Sequence, residues 1–408
     1  MTAFALSPEQ TAWCAELRTL AAERLRPLAE KGEPGRVNRP LVEALGELGL
    51  LGRLFEEGVG PDPGFGPVGA GAGTGPTGFG TGTGPTGFGT GALDLCLMRE
   101  SLAYACTEAE TALALQGLGA HPVHAHGTPA QRERWLPPVR AGRAIAAFAL
   151  SEPGAGSDAA ALSLDAAPDA SRSGSWRLTG DKRWISNAPE ADFYTVFART
   201  SPGAGARGVT AFLVPADRAG LTGTPLDMLS PHPIGALAFD GVRVGPEDVL
   251  GEVDRGFRVA MTTLNRFRPS VGAFAVGMAS AALDASLTHT AERDAFGGKL
   301  RDLQVVTHQI AEMATRTEAA RLMVYAAASA YDHEGPRAPG IARRAAMAKL
   351  LATETAQYVV DAAVQLHGAR ALQRGHLLEH LYREVRAPRI YEGASEVQRG
   401  IIAKELYG

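Results

Sequence analysis

The pattern that most constrains this chain is a change of hydrophobic period, made twice. Up to about residue 141, and again from about residue 252, apolar residues recur at three- and four-residue intervals. Between those limits they come as short β-branched or aromatic runs broken by Gly, Pro and Asp. A helix buries a stripe of period about 3.6, whereas a strand alternates or runs continuously over about four to eight residues, so one kind of layer cannot serve both patterns. Helices are expected at 8–31, 39–49, 93–106, 109–120 and 128–141. The first is opened by Ser7-Pro8-Glu9-Gln10 and the last by Thr128-Pro129, cap and N1 signals respectively. Strands are expected at 145–152, 176–187, 192–200, 208–215 and 234–244, close together and without helices between, which suggests an antiparallel barrel or sandwich. Leu303, Val306, Ile310 and Met313 keep a helical stripe, and 340–367 reads as another long helix. The expected architecture is α+β: a helical domain over 1–142, a β domain over 143–246 and a helix bundle over 247–408.

The conspicuous motif is "TGPTGFGTGTGPTGFGTG" at 74–91, a nine-residue unit written twice that contains G-x-G-x-x-G from Gly73 to Gly78 and from Gly82 to Gly87. A dinucleotide loop needs a strand before it and a helix opening at its last glycine, so that a pyrophosphate meets the helix N-terminus. Here loop-like sequence precedes the pattern, and Pro76 and Pro85 sit inside it. The expectation is a glycine-rich loop insertion spanning 58–91, not a nucleotide site.

The net charge of -4 gives no electrostatic footprint for nucleic acid, and only five of the 40 basic residues are Lys. Cys14, Cys96 and Cys106 fit no metal or redox spacing. No apolar run reaches membrane-spanning length, and "MTAFALSPEQ" lacks the features of a signal peptide, so a cytoplasmic protein is expected, without membrane or nucleic-acid partners. His121, His124 and His126 in "HPVHAHG" could suggest zinc. A helix-to-loop connection without a Cys or carboxylate close by argues against it, and no metal is expected.

Polar chemistry concentrates in three stretches. "SEPGAGSD" (151–158) ends a strand in a turn able to present N–H groups and hydroxyls to a phosphate or ring carbonyl; Ser157 does not stand in the G-x-S-x-G of a nucleophile elbow. "RWISN" (183–187) pairs an indole with a hydroxyl at a strand end, where an ordinary aromatic is the alternative. In "RIYEGASEVQRG" the segment Ser395-Glu-Val-Gln398 reads as a capping box. That leaves Glu392 just outside a helix, beside a glycine that lets the chain turn sharply; a solvated loop Glu is the alternative.

Together and in order, these blocks resemble the acyl-CoA dehydrogenase family over nearly the whole chain. The likeness also includes "LAYACTEAETALALQGLGAHPV", "GTPAQRERWLPPVRAG", "ERDAFGGKLRDLQVVTHQIAEM" and "AVQLHGARALQRGHLLEHLYREVRAPRIYEGASEVQR". The resemblance implies FAD-dependent α,β-dehydrogenation of an acyl-CoA to the trans-2-enoyl thioester. It implies Glu392 as the α-proton base, with its own N–H and a flavin ribityl hydroxyl as the oxyanion hole, and the β-hydrogen passing as hydride to flavin N5. The alternative base position of some relatives is Phe267 here. Arg268 matches an Arg near the base, with a surface salt bridge as its other reading. Tyr391, Gly393 and Ser157 would meet substrate.

For FAD the resemblance implies Phe148, Leu150, Ser151, Ser157, Trp184 and Ser186 on one side. Arg293, Phe296 and Gln304 would reach the FAD of a neighbouring subunit, implying a homotetramer or homodimer. Gln365 and Gly368 would lie on the adenine side, although Gly368-Ala369-Arg370-Ala371 departs from the usual G-G-x-G. An electron-transferring flavoprotein or another acceptor would take the electrons. Alternatives on the same fold are a dehydrogenase or oxidase acting on a carrier-protein-bound acyl group, or a non-catalytic flavin-binding relative. Relatives have a short turn where the 58–91 insert stands, so deletion of one nine-residue copy is expected to leave FAD content and turnover nearly unchanged.

Overall fold

A computed structural model of the chain describes residues 6–55 and 91–408. The glycine repeat, but for its last residue, lies outside the described residues. The N-terminal helices are α1 (Pro8–Leu20), continued through a π-helical turn into α2 (Arg26–Ala29), then α3 (Arg39–Glu47), α4 (Ala92–Ala105), α5 (Thr107–His126) and α6 (Pro129–Arg140). The capping boxes at Ser7 and Thr128 both form, each side chain accepting from the backbone of the Gln three residues on. Helix α4 starts at Gly91, which has no capping side chain; Asp332 supplies the acceptors instead, taking the N–H groups of Ala92 (2.6 Å) and Leu93 (3.0 Å).

The central strands are β1 (Ala146–Ala149), β2 (Asp165–Pro168), β3 (Trp176–Ser186), β4 (Phe193–Arg199), β5 (Val209–Pro215), β6 (Leu221–Pro225), β7 (Ile234–Val244) and β8 (Val249–Leu250). They form one sheet in the order β6-β7-β3-β2-β4-β5-β8, with β1 also paired to β4. The pairing is mostly antiparallel, but β1 and β2 both run parallel to β4. The strand expected over 145–152 stops at Ala149, where the chain leaves the sheet for the Ser151 turn.

The C-terminal helices follow: α7 (Gly256–Glu292), a short hairpin of β9 (Asp294–Ala295) and β10 (Gly298–Lys299), then α8 (Gln304–Glu334), α9 (Ile341–His367), α10 (Leu377–Glu384) and α11 (Ser395–Tyr407). Helix α7 is, among the described residues, the one helix long and apolar enough to cross a membrane, yet most of its apolar window is buried inside the protein. One apolar core joins the N-terminal helices to the sheet, and a second fills the C-terminal bundle. Helix α4 feeds both, with Leu95, Met98 and Leu102 in the first and Cys96, Leu97 and Ala103 in the second. It crosses α7 so closely that a Cβ on Gly277 would sit 2.4 Å from the Glu100 carbonyl oxygen.

Two local expectations are corrected. "HPVHAH" is not a helix-to-loop connection but the last turns of α5, which runs through Pro122 to His126. Helix α11 is not capped by Ser395: Ala394 holds the cap position, and the Ser395 hydroxyl donates to Glu354 Oε1 at 2.6 Å, a tertiary partner that outcompetes the local one.

Candidate active site

Glu392 stands between a 3-10 turn (Ala387–Arg389) and α11, with φ of 51° followed by 94° at Gly393. A positive φ is unfavourable for a residue with a Cβ and persists only where its surroundings impose it. The imposing groups are visible. Lys349 Nζ donates to the carbonyl oxygens of Tyr391 (3.0 Å) and Gly393 (2.7 Å). Arg268 Nε and Gln398 Nε2 each donate to the Glu392 carbonyl at 3.2 Å, and Gln398 also reaches Gly393 O at 2.8 Å. A Cβ on Gly393 would come within 2.4 Å of Gln398 Nε2 and would displace that amide from its carbonyls.

So held, the Glu392 side chain has an Oε2 that is shielded from solvent and has no hydrogen-bond partner. Burial pushes its carboxyl above the usual range, against the opposing pull of the cations Arg99, Lys349 and Arg268. Arg268 is buried, with Nη1 on Asn265 Oδ1 at 2.8 Å; it bonds main chain and is no surface salt-bridge partner. Phe267, beside it, is buried against α5, where its ring lies 5.9 Å from that of His121. His121 and His124 are both held neutral by burial, His124 down to about 4.

Three charged residues of this site escaped sequence reasoning. Arg99 on α4 and Glu110 on α5 form a buried ion pair through Arg99 Nε and Glu110 Oε1, and Arg99 Nη1 donates to Ser270 Oγ at 2.7 Å. Lys349 is fully buried on α9. The available signal was charge within apolar helical sequence, "CLMRES" and "AAMAKLLA", where a charged group inside a buried helix must find partners.

The Ser151 turn and the Trp184 strand end form a second group. Phe148 packs on Phe197, and Leu150 is buried while its carbonyl accepts from Lys182 Nζ at 2.9 Å. The same ammonium meets Glu152 Oε1 at 2.8 Å, and Glu152 in turn accepts the Ser163 and Leu164 N–H groups. Ser151 O accepts from Arg183 N, tying the turn to β3, while Ser157 stands exposed beyond it. Register slips between Lys182 and Ile185 put Trp184 on a bulge with φ of 58°, leaving its indole 46% exposed beside half-buried Ser186. Asn187 N donates to Pro233 O, and the neighbouring His232 bonds Glu384 at 2.6 Å; burial opposes but Glu384 prevails, raising the His232 pKa. The Trp184 strand end is thereby linked to α10, one short turn before Glu392.

Arg293, Phe296 and Gln304 lie apart from these, on and around the β9–β10 hairpin, with Phe296 91% exposed. His289 stacks on His367 with ring centroids 4.1 Å apart, which brings this hairpin beside exposed Gln365 and Gly368. Gly368 adopts φ of 66°, and a Cβ there would meet nothing within 4 Å. Among the described residues, no hydrogen bond, ion pair or ring contact joins this third group to Glu392 or Trp184.

Three family models match the chain in order: the acyl-CoA dehydrogenase N-terminal domain over 70–143, the middle domain over 147–242 and the C-terminal domain over 254–407. The mitochondrial short-chain specific acyl-CoA dehydrogenase of Bos taurus is 40% identical over 288 residues, 70% of this chain and 68% of that protein. Butyryl-CoA dehydrogenase from Megasphaera elsdenii superposes with a TM-score of 0.85 at 31% identity, covering 99% of this chain and all of the other. PigA, solved with FAD and proline, gives 0.84 at 25% identity, with 99% of each chain covered. The domain order, the sheet and the turn bearing Glu392 thus converge: the chain belongs to the acyl-CoA dehydrogenase family, flavoprotein oxidoreductases acting on CH–CH groups.

Proposed function

We propose that this protein removes the α and β hydrogens of an acyl-CoA, with Glu392 as the base for the α-proton. The observation that carries this is the Glu392 carboxylate itself: half-buried, raised in pKa by desolvation, its shielded Oε2 unpartnered, on a backbone that three side chains hold. Desolvation strengthens a carboxylate as a base, and no hydrogen bond competes for its Oε2. The Glu392 N–H, which has no acceptor among the described residues, is suited to the oxygen of the thioester as negative charge grows there. Tyr391, Gly393 and Ser157 complete the substrate side, and Arg268 positions the base through its carbonyl.

The exposed indole of Trp184 on a bulge, next to the Ser151 turn, fits an isoalloxazine ring, with Phe148, Leu150, Ser151, Ser157 and Ser186 around it. Bound FAD supplies the acceptor for the β-hydrogen as hydride. Arg293, Phe296, Gln304, Gln365 and Gly368 face outward as one group, which suits the FAD of a neighbouring copy in a homotetramer or homodimer. An electron-transferring flavoprotein is the proposed electron acceptor. A carrier-protein-bound acyl group is the second reading for the same dehydrogenation.

Anaerobic titration with a panel of acyl-CoAs tests the proposal. At least one is expected to bleach the visible flavin absorbance, and Glu392→Gln is expected to retain FAD and not bleach. Normal reduction of the Gln variant would remove Glu392 from the role. Bleaching only by carrier-bound acyl groups would favour the second reading.

A further inference from the structure

Lys349 has an unusual environment for a lysine. It is fully buried, and among the described residues no carboxylate lies within ion-pairing distance of its ammonium. Buried ammonium groups are ordinarily paired with carboxylates, because desolvating an unpaired charge is expensive. Its donors go instead to two main-chain carbonyls, Tyr391 O and Gly393 O, which flank Glu392 on either side. Burial holds its pKa down at about 8, while the charge of Glu392 pulls the other way.

The consequence follows from peptide geometry. In a planar trans peptide the C=O of one residue and the N–H of the next point in opposite directions. When Lys349 draws the Tyr391 carbonyl toward α9, it turns the Glu392 N–H to the opposite side, where no acceptor among the described residues takes it. By holding Gly393 O as well, the same ammonium fixes the Tyr391–Glu392 peptide before the base and the Gly393–Ala394 peptide after it, and the Glu392–Gly393 peptide between them, held through Glu392 O by Arg268 and Gln398, completes the positive φ from which the side chain departs. Arg268 and Gln398 hold the carbonyl in between but cannot set the direction of the Tyr391–Glu392 peptide, because neither bonds Tyr391 O.

We propose that Lys349 is a positioning residue that aims two groups at once: the Glu392 carboxylate toward the α-hydrogen and the Glu392 N–H toward the thioester oxygen. The inference rests on Glu392 being the base. In the step concerned, the α-C–H bond breaks, the proton passes to the Glu392 carboxylate, and the electron pair moves into the thioester as an enolate whose oxygen the N–H meets. Reversal with a deuteron from solvent restores the thioester labelled at the α-carbon, with no oxidation.

That reversal gives a test independent of flavin reduction. Acetyl-CoA has α-hydrogens and no β-hydrogen, so its α-exchange in D2O, followed by proton NMR with the FAD-loaded enzyme, reports proton abstraction alone. Lys349→Met is expected to slow exchange, and kcat with a productive acyl-CoA, by on the order of 100-fold, the loss typical of a misplaced oxyanion donor. The dissociation constant for acetyl-CoA and the FAD content should change less than about threefold, because ground-state binding is not what the clamp supplies. Lys349→Gln keeps an amide donor and is expected to recover at least about tenfold; it also serves if the Met variant does not fold. Exchange at the wild-type rate in Lys349→Met, or a loss matched by equal losses of thioester and FAD binding in both variants, would overturn the proposal. Glu392→Gln separates the two levels. If it exchanges like wild type, the base assignment fails and the inference with it; if it is inactive while Lys349→Met exchanges normally, only the inference fails.

Discussion

The Arg99–Glu110 pair allows an energetic prediction that also bears on chemistry. Arg99 is 3% exposed and Glu110 fully buried, with Ser270 and Thr111 hydroxyls completing their hydrogen bonds. Removing one partner leaves the other charge in an apolar interior, a loss that typically runs to about 3–5 kcal/mol. Arg99→Met is therefore expected to lower stability by about that amount, read as a fall in Tm of roughly 6–10 °C at about 2 °C per kcal/mol for a large chain. The double variant Arg99→Met/Glu110→Gln, with no charge left to strand, should recover most of the loss and lie within about 1–2 kcal/mol of wild type. Differential scanning fluorimetry and urea unfolding of wild type, Arg99→Met, Glu110→Gln and the double variant give the coupling directly. The catalytic effect has a definite sign. Arg99 is first among the cations that pull the Glu392 carboxyl down against burial, and in its absence buried Glu110 takes up a proton and adds no compensating charge. Glu392 then rises further, and since a base must be ionised, the acid limb of the kcat–pH profile moves to higher pH in both variants. A double variant as unstable as the single one, or an acid limb that moves to lower pH, would refute the reasoning.

Two further predictions follow from the same geometry. Burial raises the Glu392 pKa in the folded state, so the wild type loses stability as pH rises through the unfolded and then the folded carboxyl pKa; Glu392→Gln should therefore melt higher than wild type at pH 8, with the difference vanishing near pH 4. A Gln variant that melts lower at pH 8 would contradict the raised pKa. Lys182→Met removes the donor that joins Leu150 O to Glu152, and is expected to reduce bound flavin per chain, read as visible over ultraviolet absorbance, more than it reduces secondary structure by circular dichroism.

What the sequence disclosed, it disclosed through local rules. The double change of period separates the helical layers from the sheet, and the Ser7 and Thr128 boxes form because their partners lie three residues away. The Glu392–Gly393 pair announced a sharp turn, and both residues have positive φ. Where a tertiary partner decides, local reading failed. Ser395 resembled a cap and instead bonds Glu354, while α4 starts without a cap of its own because Asp332, 240 residues on, provides one. Arg99, Glu110 and Lys349 were missed for the same reason: their meaning depends on which helices pack together, which no window of sequence contains. Even composition held a clue. The chain has five lysines, and the two that are fully buried, Lys182 and Lys349, each hold carbonyls of a turn in the candidate site.

The three cations near Glu392 also show how a buried carboxylate can be ionised and still remain free to react. A direct hydrogen bond from Arg or Lys would stabilise the charge most strongly, but it would occupy the lone pair and weaken the base. None of the three is used in that way. Arg268 donates to the Glu392 carbonyl and to Asn265, Lys349 donates to the neighbouring carbonyls, and Arg99 is engaged by Glu110 and Ser270. Each contributes positive potential through space while its hydrogens go elsewhere, so the carboxylate feels the field and Oε2 stays without a partner. Moving one of those donors onto the carboxylate should therefore slow proton abstraction even as it makes Glu392 easier to ionise. Gln398→Glu tests the other half of the arrangement, the hold of these donors on the main chain. It removes the amide that shares the Glu392 and Gly393 carbonyls and gives Lys349 and Arg268 a rival carboxylate, loosening both from the main chain. The expected result is a lower kcat at every pH, where a purely electrostatic role for the cations predicts only a displaced pH profile with the same plateau.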